Sequence, residues 1–411
     1  MRIDRDQFLE EGYLILRQVI PPDDLKDLRA SCESLLDQQK VQWVRDRDSE
    51  DPPLGEWEKS AQPRVMVDQI AGQINAASMK AIEIWNHENV HGVSSDLLGV
   101  DNASLTEMMM MCSPIKDYGT SSHRGWHRDV YPPFSAPIQA YVDDIVENGP
   151  RYVQWNIPLY DDNVLWVIPG SHRRLNTDDE NELLSHGAAR PFSGGLQADL
   201  KAGDGVVYIT PILHWGSYYN ATMRRTLHGG FSLHTKTHDL SYAEFMNHDV
   251  YEAFQEWNER SVRTQNLTED ALRSAINGDT RKYYDALEHL HPGRLEKGRR
   301  LTSIFMSKSA RRISDLRGLN AKNVPENRRS AATMVHPITL HWGADFCERF
   351  SAQEAEVLWE RFRPIHEGLH ASTELDPPAY EDRPSRHYFY EMPDNLDIDG
   401  IIDGWELAEL G

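Results

Sequence analysis

Gly203-Asp204-Gly205-Val206-Val207-Tyr208-Ile209-Thr210-Pro211-Ile212-Leu213-His214-Trp215-Gly216 reads as a turn, a buried apolar run and a histidine at the far end of that run. Val, Tyr and Ile in a short stretch bounded by Gly-Asp-Gly and Pro favour a strand over a helix. The same signature recurs around it. β-Rich runs at 105–115, 151–160, 164–168, 206–213 and 225–233 are separated by Pro169-Gly170-Ser171, Ala202-Gly203-Asp204-Gly205 and Asn220-Ala221-Thr222. Many short strands between turns, with no long helix between them, predict a sandwich or jelly roll.

Outward from this core the pattern changes. Gly12–Ile20 is β-rich, and Pro21-Pro22-Asp23-Asp24 signals a helix start, with Leu25, Leu28, Cys32, Leu35 and Leu36 on one face. Residues 41–62 read as loop, and a helix is expected from about Ala76 to Leu98, ending at Gly99. Beyond Thr235 helical periodicity returns near 241–262, 268–289, 296–317 and 351–368. The expected class is α+β. Residues 1–235 would form a β-core domain with N-terminal helices, and 236–411 a mainly helical C-terminal extension packing on it.

Bulk properties narrow the function. At 411 residues with 39% hydrophobic and 26% charged residues, the chain has the composition of a globular protein. A formal net charge of -22 argues against nucleic acid or an anionic membrane as the main partner. Cys32, Cys112 and Cys347 are odd in number and far apart, which suits a reducing cytosol rather than a disulfide framework. Neither a secretory signal nor a membrane-spanning run is read from the sequence, so a cytoplasmic location is expected. Oligomeric state is not legible.

Gly125-Trp126-His127-Arg128-Asp129 holds a His-x-Asp pair. On a strand, residues i and i+2 share a side, so the imidazole and the carboxylate can converge on one cation. A distant histidine completes a 2-His-1-carboxylate set, which leaves open positions for a bidentate co-substrate and O₂ on Fe(II). His214 is the candidate, because a turn and then Arg224-Arg225-Thr226 follow it at the start of another strand. Such an arginine suits a carboxylate, which its planar fork grips with two hydrogen bonds.

These pieces resemble the phytanoyl-CoA dioxygenase family. The resemblance runs over roughly residues 6–235, through Phe8–Ile20, Trp126-His127-Arg128-Asp129, Trp166-Val-Ile-Pro-Gly-Ser-His172, Ala202-Gly-Asp204 and Leu213-His214 with Arg224-Arg225. It implies a double-stranded β-helix core and Fe(II) bound by His127, Asp129 and His214. It also implies 2-oxoglutarate anchored by an arginine eleven residues past the distal histidine, which is Arg225, with Arg224 as the fallback. Only one of the two can point inward, since a strand alternates faces. The implied reaction converts 2-oxoglutarate and O₂ to succinate and CO₂ and hydroxylates a small organic molecule. Asp129 argues against the related halogenases, which carry a small residue at that position. The acidic stretch before Pro-Gly-Ser-His is shortened to Asp161-Asp162-Asn163, and residues 236–411 have no counterpart in the family. Trp126, Tyr131, Gln154, Asn156 and Trp215 are candidate pocket residues.

Other readings compete. A β-helix that binds a small molecule without turnover would keep the fold. His87-Glu88-Asn89-Val90-His91 matches a zinc hydrolase motif on a helix capped by Asn86. Asn395 to Glu406 has the ligand spacing of a Ca²⁺ loop, although Pro393 breaks any incoming helix. His228 is expected on the face opposite Arg225, as a packing or surface residue. The basic run from Arg294 to Arg317 reads best as a helix face paired with acidic neighbours.

Overall fold

Ten strands form two antiparallel sheets among the residues described by the computed structural model, which are 1–58, 60, 62–113, 124–130, 136–185, 189–217, 223–233, 237–291, 295–325, 344–371 and 391–407. In chain order the strands are β1 (Tyr13–Leu16), β2 (Arg64–Met66), β3 (Ser104–Met111), β4 (Arg124–His127), β5 (Tyr152–Pro158), β6 (Leu165–Val167), β7 (Leu196–Gln197), β8 (Gly205–Ile209), β9 (His214–Gly216) and β10 (Thr226–Ser232). The larger sheet has the order β1-β8-β5-β10-β3-β2 and the smaller β4-β9-β6-β7. Tyr13 from β1, Val206 and Tyr208 from β8, and Leu165 and Val167 from β6 join one buried cluster with Ala198, Leu200 and Ile212. The two sheets therefore share a core, whose inner positions are fixed by strand alternation.

Register defines that inner face. Tyr208 lies opposite Gln154 and Val206 opposite Asn156, while Asn156 and Gln154 lie opposite His228 and Gly230 on β10. Directly opposed residues share a face. The inner set is thus Gln154, Asn156, Tyr208, Thr226 and His228, with Met109 and Met111 of β3 opposite the last two. The odd-numbered positions of β5 and β10 turn outward. Trp155 donates from Nε1 to Ser94 Oγ, and Phe231 packs against Trp85, His91 and Trp257.

The N-terminal segment is built around Gly12. It ends helix α1 (Arg5–Glu11) with φ +83°, a left-handed value that only glycine adopts without cost. A Cβ there would stand 2.3 Å from the ring of His172, so two constraints meet at one residue. Helix α2 (Leu25–Asp46) starts as its Pro-Pro signal predicts and buries Leu28, Cys32, Leu35 and Leu36. It runs through Asp46, so the expected loop begins later than residue 41. The stretch 76–98 is not one helix. It is a chain of short turns that includes α3 (Lys80–Glu83), a π-turn at Glu88–Gly92 and α4 (Val93–Leu98).

The backbone gathers into two compact units. The first comprises Met1–Arg128, Pro150–His172 and His186–Glu259 and contains both shared sheets. The second comprises Asp129–Gly149, Arg173–Ser185 and Arg260–Gly411. It includes α5 (Ile138–Asn148) and α6 (Asp178–Ser185), two helices between strands that the sequence reading did not expect. The helices expected at 241–262 and 268–289 divide elsewhere: α7 (His248–Ile276) runs through the expected gap, and the break to α8 (Thr280–Leu290) falls at Gly278, where φ is +69°. Helices α9 (Leu295–Arg317), α10 (Ala344–Cys347), α11 (Ala352–Ala371) and α12 (Ile398–Leu407) follow. Basic residues of α9 pair as expected. Arg300 meets Glu296, Arg311 meets Asp315, and the Arg299 guanidinium lies over the Tyr284 ring. No described helix is long and apolar enough to cross a membrane.

All three thiols are free and buried. Burial pushes Cys112 up to about 12 and Cys347 up to about 11, and raises Cys32 further still. A thiol that stays protonated is a poor nucleophile. Iodoacetamide at mildly alkaline pH should therefore leave the native protein unmodified and alkylate all three cysteines in denaturant, as read by intact mass; fast native labelling would contradict this packing.

Candidate metal centre

β4 and β9 are antiparallel neighbours with His127 directly opposite His214. Their rings lie 4.2 Å apart between centroids, and both residues are buried. Asp129 follows two positions after His127. One ligand atom from each of His127, Asp129 and His214 lies within 4.8 Å of the other two. Among the described residues this is the one such cluster of His, Cys, Asp or Glu side chains.

The imidazoles are already oriented. His127 donates from Nδ1 to the Gly125 carbonyl at 2.8 Å, and His214 donates from Nδ1 to the Ile212 carbonyl at 3.0 Å. A carbonyl can only accept, so each ring carries a proton on Nδ1, and in the neutral imidazole that leaves the lone pair on Nε2. That is how a backbone carbonyl holds a metal-binding histidine in the needed tautomer. Two neutral imidazole nitrogens and one carboxylate on neighbouring strands are the donor set of a mononuclear non-haem iron site. The residues present fit that group.

Arg128 sits between two of these ligands and is fully buried. It donates from Nη1 to the carbonyls of Ser171 and Pro211, both at 2.8 Å. Ser171 in turn accepts at Oγ from the Leu213 amide. The His-x-Asp segment, the Pro-Gly-Ser-His turn and the approach to His214 are thereby tied together. Nothing in the motif spacing singled out Arg128, and its signal is a lone arginine flanked by two ligands in an apolar setting.

A line of polar side chains leads away from His214 along the inner face. The rings of His214 and Tyr208 are 5.4 Å apart. Gln154 donates from Nε2 to the Tyr208 hydroxyl at 2.8 Å and to His228 Nε2 at 3.0 Å. His228 then donates from Nδ1 to Asn156 Oδ1. Gln154 and Asn156, expected as pocket residues, are members of this inner-face network. His228 does face away from Arg225, but as part of this inner network rather than as a packing or surface residue.

Other expected site residues are corrected. Trp126 and Trp215 alternate with the two histidines and point to the opposite face of the smaller sheet, where they form a row with Trp166 at 5.6 Å spacings. Trp126 also donates to the Arg190 carbonyl. They support the sheet from outside and do not line a pocket with His127 and His214. Tyr131 lies outside the described residues. Arg225 does not face the triad. Its guanidinium pairs with Glu33 of α2 at 2.6 and 3.2 Å and donates to the Cys112 and Arg224 carbonyls. The physical reason is parity: the residues sharing the inner face with Thr226 and His228 are even-numbered, which selects Arg224. Arg224 donates from Nε to Asp162 at 2.7 Å, with both side chains buried.

The alternative metal sites do not form. His87, not Asn86, caps its turn, with Nδ1 accepting from the Asn89 amide, and His91 Nε2 lies 3.0 Å from Asn102 Oδ1 and from the Ala103 carbonyl. The two rings serve separate structural tasks. The proposed calcium loop is instead helix α12, whose N-terminus Asp397 caps by accepting from the Gly400 amide. Most of its presumptive ligands are wound into a helix and cannot encircle one ion, while Tyr284 donates to Asp399 and Asp403.

Residues 8–226, more than half of the 411-residue chain, match the phytanoyl-CoA dioxygenase family. No curated protein matches by sequence. Similar solved structures include the non-haem α-ketoglutarate-dependent epimerase SnoN from nogalamycin biosynthesis, at 14% identity over 56% of this chain and 79% of that one, with a TM-score of 0.37. EctD from S. alaskensis is 17% identical over 56% and 75%, with a TM-score of 0.38. AviO1 from Streptomyces viridochromogenes Tue57 is 18% identical over 56% and 96%, with a TM-score of 0.36. At such scores these likenesses carry no functional inference. By its family match, the chain belongs to the phytanoyl-CoA dioxygenase family of Fe(II)- and 2-oxoglutarate-dependent oxygenases and is an enzyme of that class.

Proposed function

We propose that the chain hydroxylates a small organic molecule, with Fe(II) held by His127, Asp129 and His214 and 2-oxoglutarate and O₂ as co-substrates. The observation that carries this reading is the convergence of three ligand atoms within 4.8 Å, with each imidazole proton already committed to a backbone carbonyl. In this reading the two facing sheets are a double-stranded β-helix, residues 1–235 carry the chemistry, and 236–411 form a helical extension to which α5 and α6 belong.

When bound, iron would supply the oxidising power, coupling O₂ and 2-oxoglutarate to oxidation of the substrate. The chain's own residues position the reactants. Arg224 is the proposed anchor for the distal carboxylate of 2-oxoglutarate, because it faces inward and already engages a carboxylate, assisted by the hydroxyl of Thr226. Gln154, Asn156 and His228 offer hydrogen-bonding groups beyond His214, and Met109 and Met111 flank them with deformable apolar surface. That combination suits a substrate with both polar and apolar parts. The retained Asp129 supports hydroxylation over halogenation, since the third ligand position is filled by the protein.

The test is anaerobic mixing of the purified protein with Fe(II) and 2-oxoglutarate. A weak visible charge-transfer band should appear and be lost in His214→Ala and in Asp129→Ala, and metal analysis should show the iron lost with it. Absence of the band in a protein that retains iron would overturn the reading. The two adjacent arginines should separate cleanly. Arg224→Ala should weaken 2-oxoglutarate binding by roughly tenfold, the worth of a charge-assisted hydrogen bond of about 1.5 kcal/mol. Arg225→Ala should leave that affinity within a few fold and lower the unfolding free energy by about 1–3 kcal/mol, through lost hydrogen bonds to Glu33 and Cys112. Calorimetric titration and thermal melts of both variants measure the split.

A further inference from the structure

Asp162 sits in the shortened acidic stretch that sets this chain apart in sequence, and its carboxylate is buried. Oδ2 accepts from Arg224 Nε at 2.7 Å and from Thr226 Oγ1 at 3.1 Å. Oδ1 accepts from the Val164 amide at 2.8 Å. The Asp162 backbone exchanges both hydrogen bonds with Leu200, each at 2.9 Å, so the residue is pinned at the mouth of β6. Neighbouring Asp161 has a different life. It is exposed and serves Lys201 and the Ala202 amide on the surface.

An arginine and a hydroxyl two residues apart on one strand face form a carboxylate-binding fork, with the charge supplying strength and the hydroxyl direction. In this chain the fork already holds a carboxylate of its own. We propose that Asp162 is a cosubstrate-selectivity residue, an internal carboxylate with which the distal carboxylate of 2-oxoglutarate must compete for Arg224 and Thr226. The proposal rests on the reading of Arg224 as anchor given above. Two anions cannot share the same pair of donors in a buried site without repulsion, so binding exchanges one carboxylate for the other. The gain from the distal carboxylate is then only a difference between two similar contacts. A 2-oxo acid lacking that carboxylate loses little by comparison, and selectivity for the dicarboxylate falls. Displacement is local, because Oδ1 keeps the Val164 amide and the backbone keeps Leu200 while Oδ2 gives up the fork.

The experiment titrates full-length, Mn(II)-loaded protein with 2-oxoglutarate and with 2-oxovalerate, a 2-oxo acid without the distal carboxylate, by calorimetry. Wild type should prefer 2-oxoglutarate by less than about tenfold. Asp162→Asn retains the shape and the Oδ1 acceptor but removes the charge. It should bind 2-oxoglutarate at least about tenfold more tightly, roughly one charge-assisted hydrogen bond, with 2-oxovalerate unchanged. Its melting temperature without ligand should fall, because Arg224 loses its counter-charge, and 2-oxoglutarate should raise it by more than in wild type. Asp161→Asn should resemble wild type in every measure. Equal or weaker 2-oxoglutarate binding by Asp162→Asn, with Arg224→Gln also weakened, overturns the competition and makes Asp162 a support for the fork. Unchanged binding by Arg224→Gln sinks the anchor assignment itself. Should Asp162→Asn fail to fold, a wild-type preference for 2-oxoglutarate above about a hundredfold is enough to reject the proposal, since an occupied fork could not provide it.

Discussion

The antiparallel pairing of β4 with β9 is the constraint on which the rest depends. It sets His127 opposite His214, bringing two residues far apart in sequence together with their rings side by side. Pairing alone does not make a ligand. A flexible imidazole would present either nitrogen, and the carbonyls of Gly125 and Ile212 remove that freedom by taking the Nδ1 proton of each ring. Both carbonyls come from the residue two positions earlier in the chain. The backbone that positions the histidine therefore also selects its tautomer, which links local strand geometry to the electronic state of the site.

The price of this arrangement is carried by Arg128, a fully buried cation whose hydrogen bonds from Nη1 go to carbonyl oxygens. Bonds from a charged donor are worth about 1.5–3 kcal/mol each, against a desolvation penalty of several kcal/mol for the ion. Such a residue adds little net stability. What it contributes is definition, because it fastens the loop after His127 to the Pro-Gly-Ser-His turn and to the segment before His214 at the same time. The Gly12 and His172 packing extends that fastening to the N-terminal helix, where a single added Cβ would collide.

Much of the site was legible in the sequence, and what was missed has one main cause. His-x-Asp, the strand-end histidine and the glycine and proline punctuation give residue types at spacings that the chemistry restricts, and the expected β-runs all coincide with strands. Spacing counts residues but does not say which face of a strand a residue takes. Arg225 fits the count from His214, yet parity with Thr226 and His228 on β10 favours Arg224. Trp126 and Trp215 adjoin the ligands in sequence and, for that very reason, point away from them on alternating strands. The H-E-x-x-H and calcium-loop patterns failed differently. Their residues are all present, but one sits on a π-turn whose first histidine is a cap and the other is wound into α12. Capping and ion binding use the same side chains, so composition cannot separate them.

The adjacent arginines show how one strand can serve structure and chemistry without compromise. Arg225 turns outward to Glu33 and holds α2 against the start of β10, while Arg224 turns inward to Asp162. Glu33 is about half exposed, so water tempers the outer pair, and its loss would be felt as modest loosening. The inner pair is buried on both sides, and removing either partner would strand a charge at a cost of about 3–5 kcal/mol. An inward arginine in that position requires a carboxylate at all times. Before any ligand arrives, only the chain can supply one, and Asp162, bridged to Leu200 just ahead of β6, does so while its neighbour Asp161 serves the surface.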